Sequence, residues 1–149
     1  MNVAELKRAL YRDEGVRFDA YLDSEGILTI GVGHNCEASP VVGVTKPGDR
    51  ISEEMVSQLL DADLAATEKD LDRFLPWWRG LDDARQNVLM NMGFNLGVPR
   101  LSKFVKTLEA IKSEDYAKAA DEMLESRWAM QVGKRAIRLA QAMEQGVFV

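Results

Sequence analysis

Asp13, Glu14 and Gly15 stand where a helical pattern ends. Asp23-Ser24-Glu25-Gly26 then turns the chain ahead of Thr29-Ile30-Gly31-Val32-Gly33-His34. Carboxyl groups and a hydroxyl are thereby gathered where a helix end meets a hairpin. Acid/base hydrolysis of a sugar polymer needs such a set: one carboxyl protonates the leaving oxygen while a second, ionised one faces the electron-poor carbon that develops. Glu14 suits the proton donor, because the negative pole of a helix dipole disfavours a carboxylate at a helix C-terminus. Asp23, placed by the turn, can face the opposite side of a bound ring, and the Thr29 hydroxyl can hold a water between Asp23 and the substrate carbon. Each residue also has an ordinary explanation. Glutamates are common at solvated helix ends, aspartates before turns satisfy backbone donors, and threonine favours strands.

The elements that must position these residues follow from spacing. Val3, Leu6 and Leu10 predict a helix over about 3–13, with Gly15 as its left-handed stop. Phe18, Ala20 and Leu22 alternate with Asp19, Tyr21 and Asp23, and Ile27 to Val32 is rich in β-branched residues, which predicts a hairpin around residues 24–26. Pro40, Gly43, Pro47 and Gly48 make residues 35–50 a loop. Ser52 caps a long helix with Glu53 and Glu54 at its positive end and an apolar stripe of Met55, Leu59, Leu60, Leu64 and Leu71 running to about Phe74. Beyond Pro76, helices are expected at 82–95, 101–112, 115–124 with Ser113 as cap, and 134–144.

A chain of 149 residues is about one domain long, 46% apolar and 29% charged, as in soluble globular proteins. No apolar run approaches the roughly 18 residues that span a bilayer, and residues 1–8 hold no signal core, so synthesis in the cytoplasm without stable membrane association is expected. The net charge of −5 divides into −7 over residues 1–99 and +2 over 100–149. No concentrated basic face offers itself to nucleic acid. Cys36 is the only cysteine and reads as a small buried residue. Gly31 and Gly33 can admit a sugar close to the strand backbone, whereas a dinucleotide loop is excluded because no helix opens after them. His34, the sole histidine, has no clustered ligands; no metal and no cofactor are expected, and a structural ion pair suits it better. Trp77, Trp78, Phe94, Phe104 and Trp128 can stack on sugars, though most large aromatics belong to cores.

The ordered set Asp13-Glu14-Gly15, Tyr21-x-Asp23-Ser24-Glu25-Gly26 and Thr29 to His34 resembles the phage-type lysozyme family, the muramidases of the T-even phage type. The likeness returns at Asn91-Met92-Gly93-Phe94-Asn95-Leu96-Gly97 and at Ser126-Arg127-Trp128 followed by Lys134-Arg135-Ala136. The resemblance implies an α+β, predominantly helical lysozyme-like fold in a single domain: a β-containing N-terminal lobe (14–52), a connecting helix (53–75) and a helical C-terminal lobe (76–149) on which helix 3–13 packs, with a cleft between lobes. It implies Glu14 as catalytic acid, Asp23 as catalytic aspartate and Thr29 as water-positioner. It further implies Arg135 near Asp13 and Glu14, Glu25 facing Arg127, and His34 paired with Asp63. Substrate contacts fall at Asn35, Phe94, Thr107 and Glu122, where Thr107 stands for a serine, Asn35 for a leucine and Glu122 for an asparagine.

By that resemblance the activity is an endolysin's: hydrolysis, with inversion, of the β-1,4 bond between N-acetylmuramic acid and N-acetylglucosamine in bacterial peptidoglycan. The enzyme would be a monomer reaching the wall after release through the inner membrane, with functional dependence on a holin. Two alternatives differ in class. A lytic transglycosylase would form an anhydro product without water, against which Asp23 and Thr29 argue. A non-catalytic wall-binding module of the same fold would leave purified walls intact.

Overall fold

The computed structural model describes residues 1–148. The fold is α+β: the described residues form eight α-helices, one 3-10 turn and a small three-stranded antiparallel sheet, in the chain order α1, β1–β3, α2–α8 with the 3-10 turn between α2 and α3. The chain divides into two compact units, one of Met1–Ala9 with Thr67 onward, the other of Leu10–Ala66. Among the described residues no helix is long and apolar enough to cross a membrane.

Helix α1 (Val3–Glu14) begins at Asn2, whose side chain accepts the Glu5 amide at 3.1 Å, and stops at Gly15, whose N–H donates to the Tyr11 carbonyl and whose φ of +74° turns the chain out of the helix. The helix therefore carries Glu14 as its last residue. Strand β1 (Arg17–Leu22) pairs with β2 (Leu28–Gly31), and β2 with β3 (His34–Asn35), in the order β1-β2-β3. Tyr21 lies opposite Thr29, Thr29 opposite Asn35, and Ile30 opposite His34. A bulge between Arg17 and Tyr21 interrupts the first ladder. Ala20, Ile30, Cys36 and Val44 form the core behind the sheet, with Leu28, Val41, Ile51 and Leu59 packed on it.

The expected loop over 35–50 is more ordered than its glycines and prolines suggest. It opens inside β3 and returns beside β1, where the Ala20 amide donates to Asp49 at 2.8 Å and the Ile51 amide to Phe18 at 2.9 Å. Asp49 pins the return by accepting the amides of Thr45 and Lys46, and those bonds hold its carboxyl below the usual range.

Helix α2 (Glu53–Phe74) is capped by the Ser52 hydroxyl, which accepts the Met55 amide at 3.1 Å. Its buried line is Val56, Leu60, Leu64, Thr67 and Leu71. Met55 and Leu59 stand beside this line, half-buried. After Pro76 a 3-10 turn (Trp78–Gly80) buries Trp78, whose indole N–H donates to Asp72 at 2.7 Å.

Helix α3 (Asp83–Leu96) starts at its Asp82 cap and is buried along nearly its whole length, including Asn87 and Asn91. Where one helix was expected over 101–112 there are two, α4 (Val98–Leu101) and α5 (Val105–Lys112). The break forms because the Ser102 hydroxyl turns back on the Pro99 carbonyl at 2.6 Å and Phe104 leaves helical geometry, its ring edge-on to Trp128. Helix α6 (Tyr116–Glu125) is capped by Asp115, which accepts the Lys118 amide, and not by Ser113, which closes α5 by donating its amide to Glu109. A short α7 (Arg127–Val132), capped by Ser126, precedes α8 (Lys134–Gln145).

Candidate active site

Glu14 ends α1 half-buried. The two-residue turn of Val32 and Gly33 between β2 and β3 comes up against it: a Cβ built on Gly33 would stand 2.8 Å from Glu14 Oε1. With φ at +61°, Gly33 is in the left-handed region that favours glycine, and any side chain there would have to displace the Glu14 carboxyl. The Glu14 carboxyl is thus set by a helix end on one side and bare backbone on the other.

Asp23 closes the β1–β2 turn. Its Oδ1 accepts the Glu25 amide at 2.8 Å and the Ile27 amide at 2.9 Å, while its backbone N–H donates to the Ile27 carbonyl. Both amides fall on one oxygen, Oδ1, which ties the carboxylate to the turn. Thr29 is buried in β2, and its hydroxyl donates to the Ile27 carbonyl at 2.8 Å, so toward any ligand the hydroxyl oxygen offers only lone pairs.

Tyr21, whose residue type alone does not mark it as a site residue, links these groups. It lies directly across the ladder from Thr29. Burial pushes its phenol up from the ordinary tyrosine value, and the negative charges of Glu14 and Asp23 add to that, against the Arg17 guanidinium. Both carboxyl groups therefore act on one phenol. Arg17 lies over the Tyr21 ring at 4.5 Å and reaches Asp19 at 3.1 Å. The available signal was the hairpin register, which pairs residue 21 with residue 29.

The supporting residues of this unit are also placed. Asp13 has a buried side chain touched by Arg12 Nε at 3.4 Å. Glu25 is exposed at the turn, and Asn35 in β3 accepts the Glu37 and Ala38 amides on its side-chain oxygen, both at 2.9 Å. His34 is buried, with Nδ1 2.7 Å from Asp63 and Nε2 2.8 Å from the Ser39 carbonyl. The hydrogen bond to Asp63 raises the His34 pKa above its ordinary value, burial opposes this, and the Ser39 carbonyl assists.

In the helical unit, Arg135 is buried on α8 and donates from Nε to Asn91 at 2.9 Å. Thr107, Glu122 and Arg127 line one cavity of about 570 Å³, whose apolar wall includes Leu96, Phe104 and Trp128. The Trp128 indole N–H is held by Asn95 at 2.8 Å. Phe94, half-buried on α3, is not among the residues lining that cavity.

The phage lysozyme family profile matches residues 11–143. Among relatives, the pre-baseplate central spike protein Gp5 of Enterobacteria phage T4 is 34% identical over 93% of this chain, which spans 27% of the spike protein's length. A probable T4-type lysozyme of Dictyostelium discoideum is 29% identical over 97% of this chain and 96% of its own. The endolysin of Salmonella phage P22 is 32% identical over 77% of this chain and 75% of its own. The matched region holds Glu14, Asp23 and Thr29, and the chain belongs to the phage lysozyme family.

Proposed function

We propose that this chain is a muramidase that hydrolyses the β-1,4 bond between N-acetylmuramic acid and N-acetylglucosamine in bacterial peptidoglycan. Glu14 gives its proton to the leaving glycosidic oxygen as the bond to the anomeric carbon breaks. A water held by Thr29 Oγ1 attacks that carbon from the opposite face and yields its proton to Asp23 Oδ2, so the products carry the elements of one water and an inverted anomeric centre. Glu14 must then be reprotonated and Asp23 deprotonated before the next turnover. The observation that carries this reading is the clustering of a helix-end carboxyl, a turn-fixed carboxylate and an acceptor-only hydroxyl around Tyr21.

Substrate contacts are assigned to Asn35 and Phe94 and to the cavity bearing Thr107 and Glu122, with Asp13, Glu25, Arg127 and Arg135 as charged support. The enzyme acts as a monomer without metal or cofactor. As an endolysin it would be made in the host cytoplasm and reach the wall through a holin lesion, causing lysis. The likeness to Gp5 favours a second setting for the same chemistry, a lysozyme unit carried on a virion spike. Detection of the chain in purified virions by mass spectrometry would select that setting.

The deciding experiment is lysis of purified walls by the wild type beside Glu14→Gln and Asp23→Asn. The wild type should clear the suspension and both variants should not; full activity in both would defeat the assignment. Mass spectrometry of the digest separates hydrolysis from transglycosylase action, because anhydro ends are lighter by one water. Proton NMR of the fresh product reads the anomer directly, and a retained anomer would remove the inverting version.

A further inference from the structure

Hydrogen-bond accounting around Thr29 leaves one requirement of the attacking water unmet. On the hydrolytic reading above, on which this inference rests, the water's two hydrogens go to Thr29 Oγ1 and Asp23 Oδ2. One lone pair goes to the anomeric carbon. Thr29 has already donated its hydroxyl hydrogen to the Ile27 carbonyl, and an ionised carboxylate has none to give. Both anchors are acceptors, so neither can hold the second lone pair, and the water remains free to rock about the plane of its own hydrogens.

A donor stands in the right row. In an antiparallel ladder directly opposed residues project on the same face, so Tyr21, Thr29 and Asn35 form one line across the three strands. Asn35 also carries a donor, its side-chain NH2, but its side-chain oxygen accepts the amides of Glu37 and Ala38, which holds that amide group to its own loop. Tyr21 offers an O–H. We propose that Tyr21 is a positioning residue whose phenol O–H donates to the second lone pair of the attacking water, aiming the first at the anomeric carbon.

Three features of its surroundings fit this role. The phenol must keep its proton, and burial together with the charges of Glu14 and Asp23 favours the neutral form. The ring must hold its direction, and it is clamped by the Arg17 guanidinium, itself anchored on Asp19. The phenol must also lie near both carboxyl groups, and it sits within the electrostatic reach of Glu14 and Asp23. No proton leaves Tyr21 during the cycle; it orients, and the transfers remain with Glu14 and Asp23.

The test compares wild type, Tyr21→Phe and Glu14→Gln on soluble peptidoglycan strands, with kcat and KM measured separately. Phenylalanine keeps the ring and its stacking on Arg17 and removes only the hydroxyl. One lost hydrogen bond that acts in the transition state should lower kcat about fivefold to tenfold with KM within about twofold. An unchanged kcat, or a raised KM at unchanged kcat, would overturn the proposal, the latter by making Tyr21 a sugar contact. A readout free of turnover accompanies it: the carbon-13 titration of the Tyr21 ring should shift to lower pH in Glu14→Gln than in wild type, and an unmoved titration would place the phenol away from the carboxyl. An inactive wild type would instead remove the hydrolytic reading, a result distinct from an active wild type with an indifferent Tyr21→Phe.

Discussion

His34 spans two acceptors, the Asp63 carboxylate at 2.7 Å and the Ser39 carbonyl at 2.8 Å. Only the doubly protonated imidazole can donate to both, which is why the hydrogen bond to Asp63 outweighs burial and raises the histidine pKa. A pKa raised on folding contributes stability that is complete below the unfolded value, about 6.5, and is lost as pH rises through the folded one. Asp63→Asn should therefore cost about 1.5–3 kcal/mol near pH 5.5 and much less at pH 9. Urea denaturation of both proteins at the two pH values checks this, and an equal cost at both would exclude the linkage.

Gly33 packs against the Glu14 carboxyl. Gly33→Ala must carry a left-handed residue, about 1–2 kcal/mol, and drive its Cβ into the carboxyl 2.8 Å away. Activity on peptidoglycan should fall more than tenfold. Gly43→Ala is the control: its φ of +84° imposes a comparable backbone cost, but its Cβ meets nothing within 4 Å. That variant should lose stability and keep its specific activity. Equal activity losses in the two would show that backbone strain alone, not displacement of Glu14, is responsible.

Asp23 has a structural task that can be separated from its chemical one. Asn at this position keeps an oxygen for the Glu25 and Ile27 amides, so Asp23→Asn should retain stability within about 0.5 kcal/mol while losing activity at least a hundredfold. Asp23→Ala leaves both amides without their acceptor and should cost a further 1–2 kcal/mol or so. Thermal melts read beside wall clearing distinguish the two losses. Asn and Ala variants of equal stability would mean the turn does not depend on this oxygen.

Glu114 follows α5 with φ at +61°, the one described residue other than glycine in the left-handed region. The Asp115 amide reaches back to the Ala110 carbonyl at 2.8 Å, the helix-ending motif in which glycine usually takes the Glu114 position. Glu114→Gly should raise stability by about 1 kcal/mol, read as a higher midpoint in urea. A lowered midpoint would mean that the glutamate side chain repays its strain locally.

Local signals found much of this architecture. Gly15, Ser52 and Pro76 punctuate their helices where residue chemistry predicts, since capping and left-handed stops act within one turn of chain. Helix α7 escaped because six residues carry too little period to register, although Ser126 before it and Gly133 after it are its cap and stop. The split between α4 and α5 depends on Phe104 meeting Trp128, a tertiary contact. Glu14, Asp23 and Thr29 drew notice by type and order. Tyr21 does not stand out by type; its relation to Thr29 is one of cross-strand register, counted back from the turn. The partner of His34 lies 29 residues away, a separation over which spacing carries no information.

One compact unit is assembled from both ends of the chain: Met1–Ala9 belongs with Thr67 onward. Asn2 accepts from Asn87 at 2.9 Å, and Leu6 and Ala9 are buried. During synthesis, which proceeds at about 5–20 residues per second, the segment Leu10–Ala66 is complete while most of the helices grouped with Met1–Ala9 have yet to be made. Residues 1–9 are thus made before most of the helices they join, and a permutant that moves them behind α8 would let that unit fold from one uninterrupted stretch.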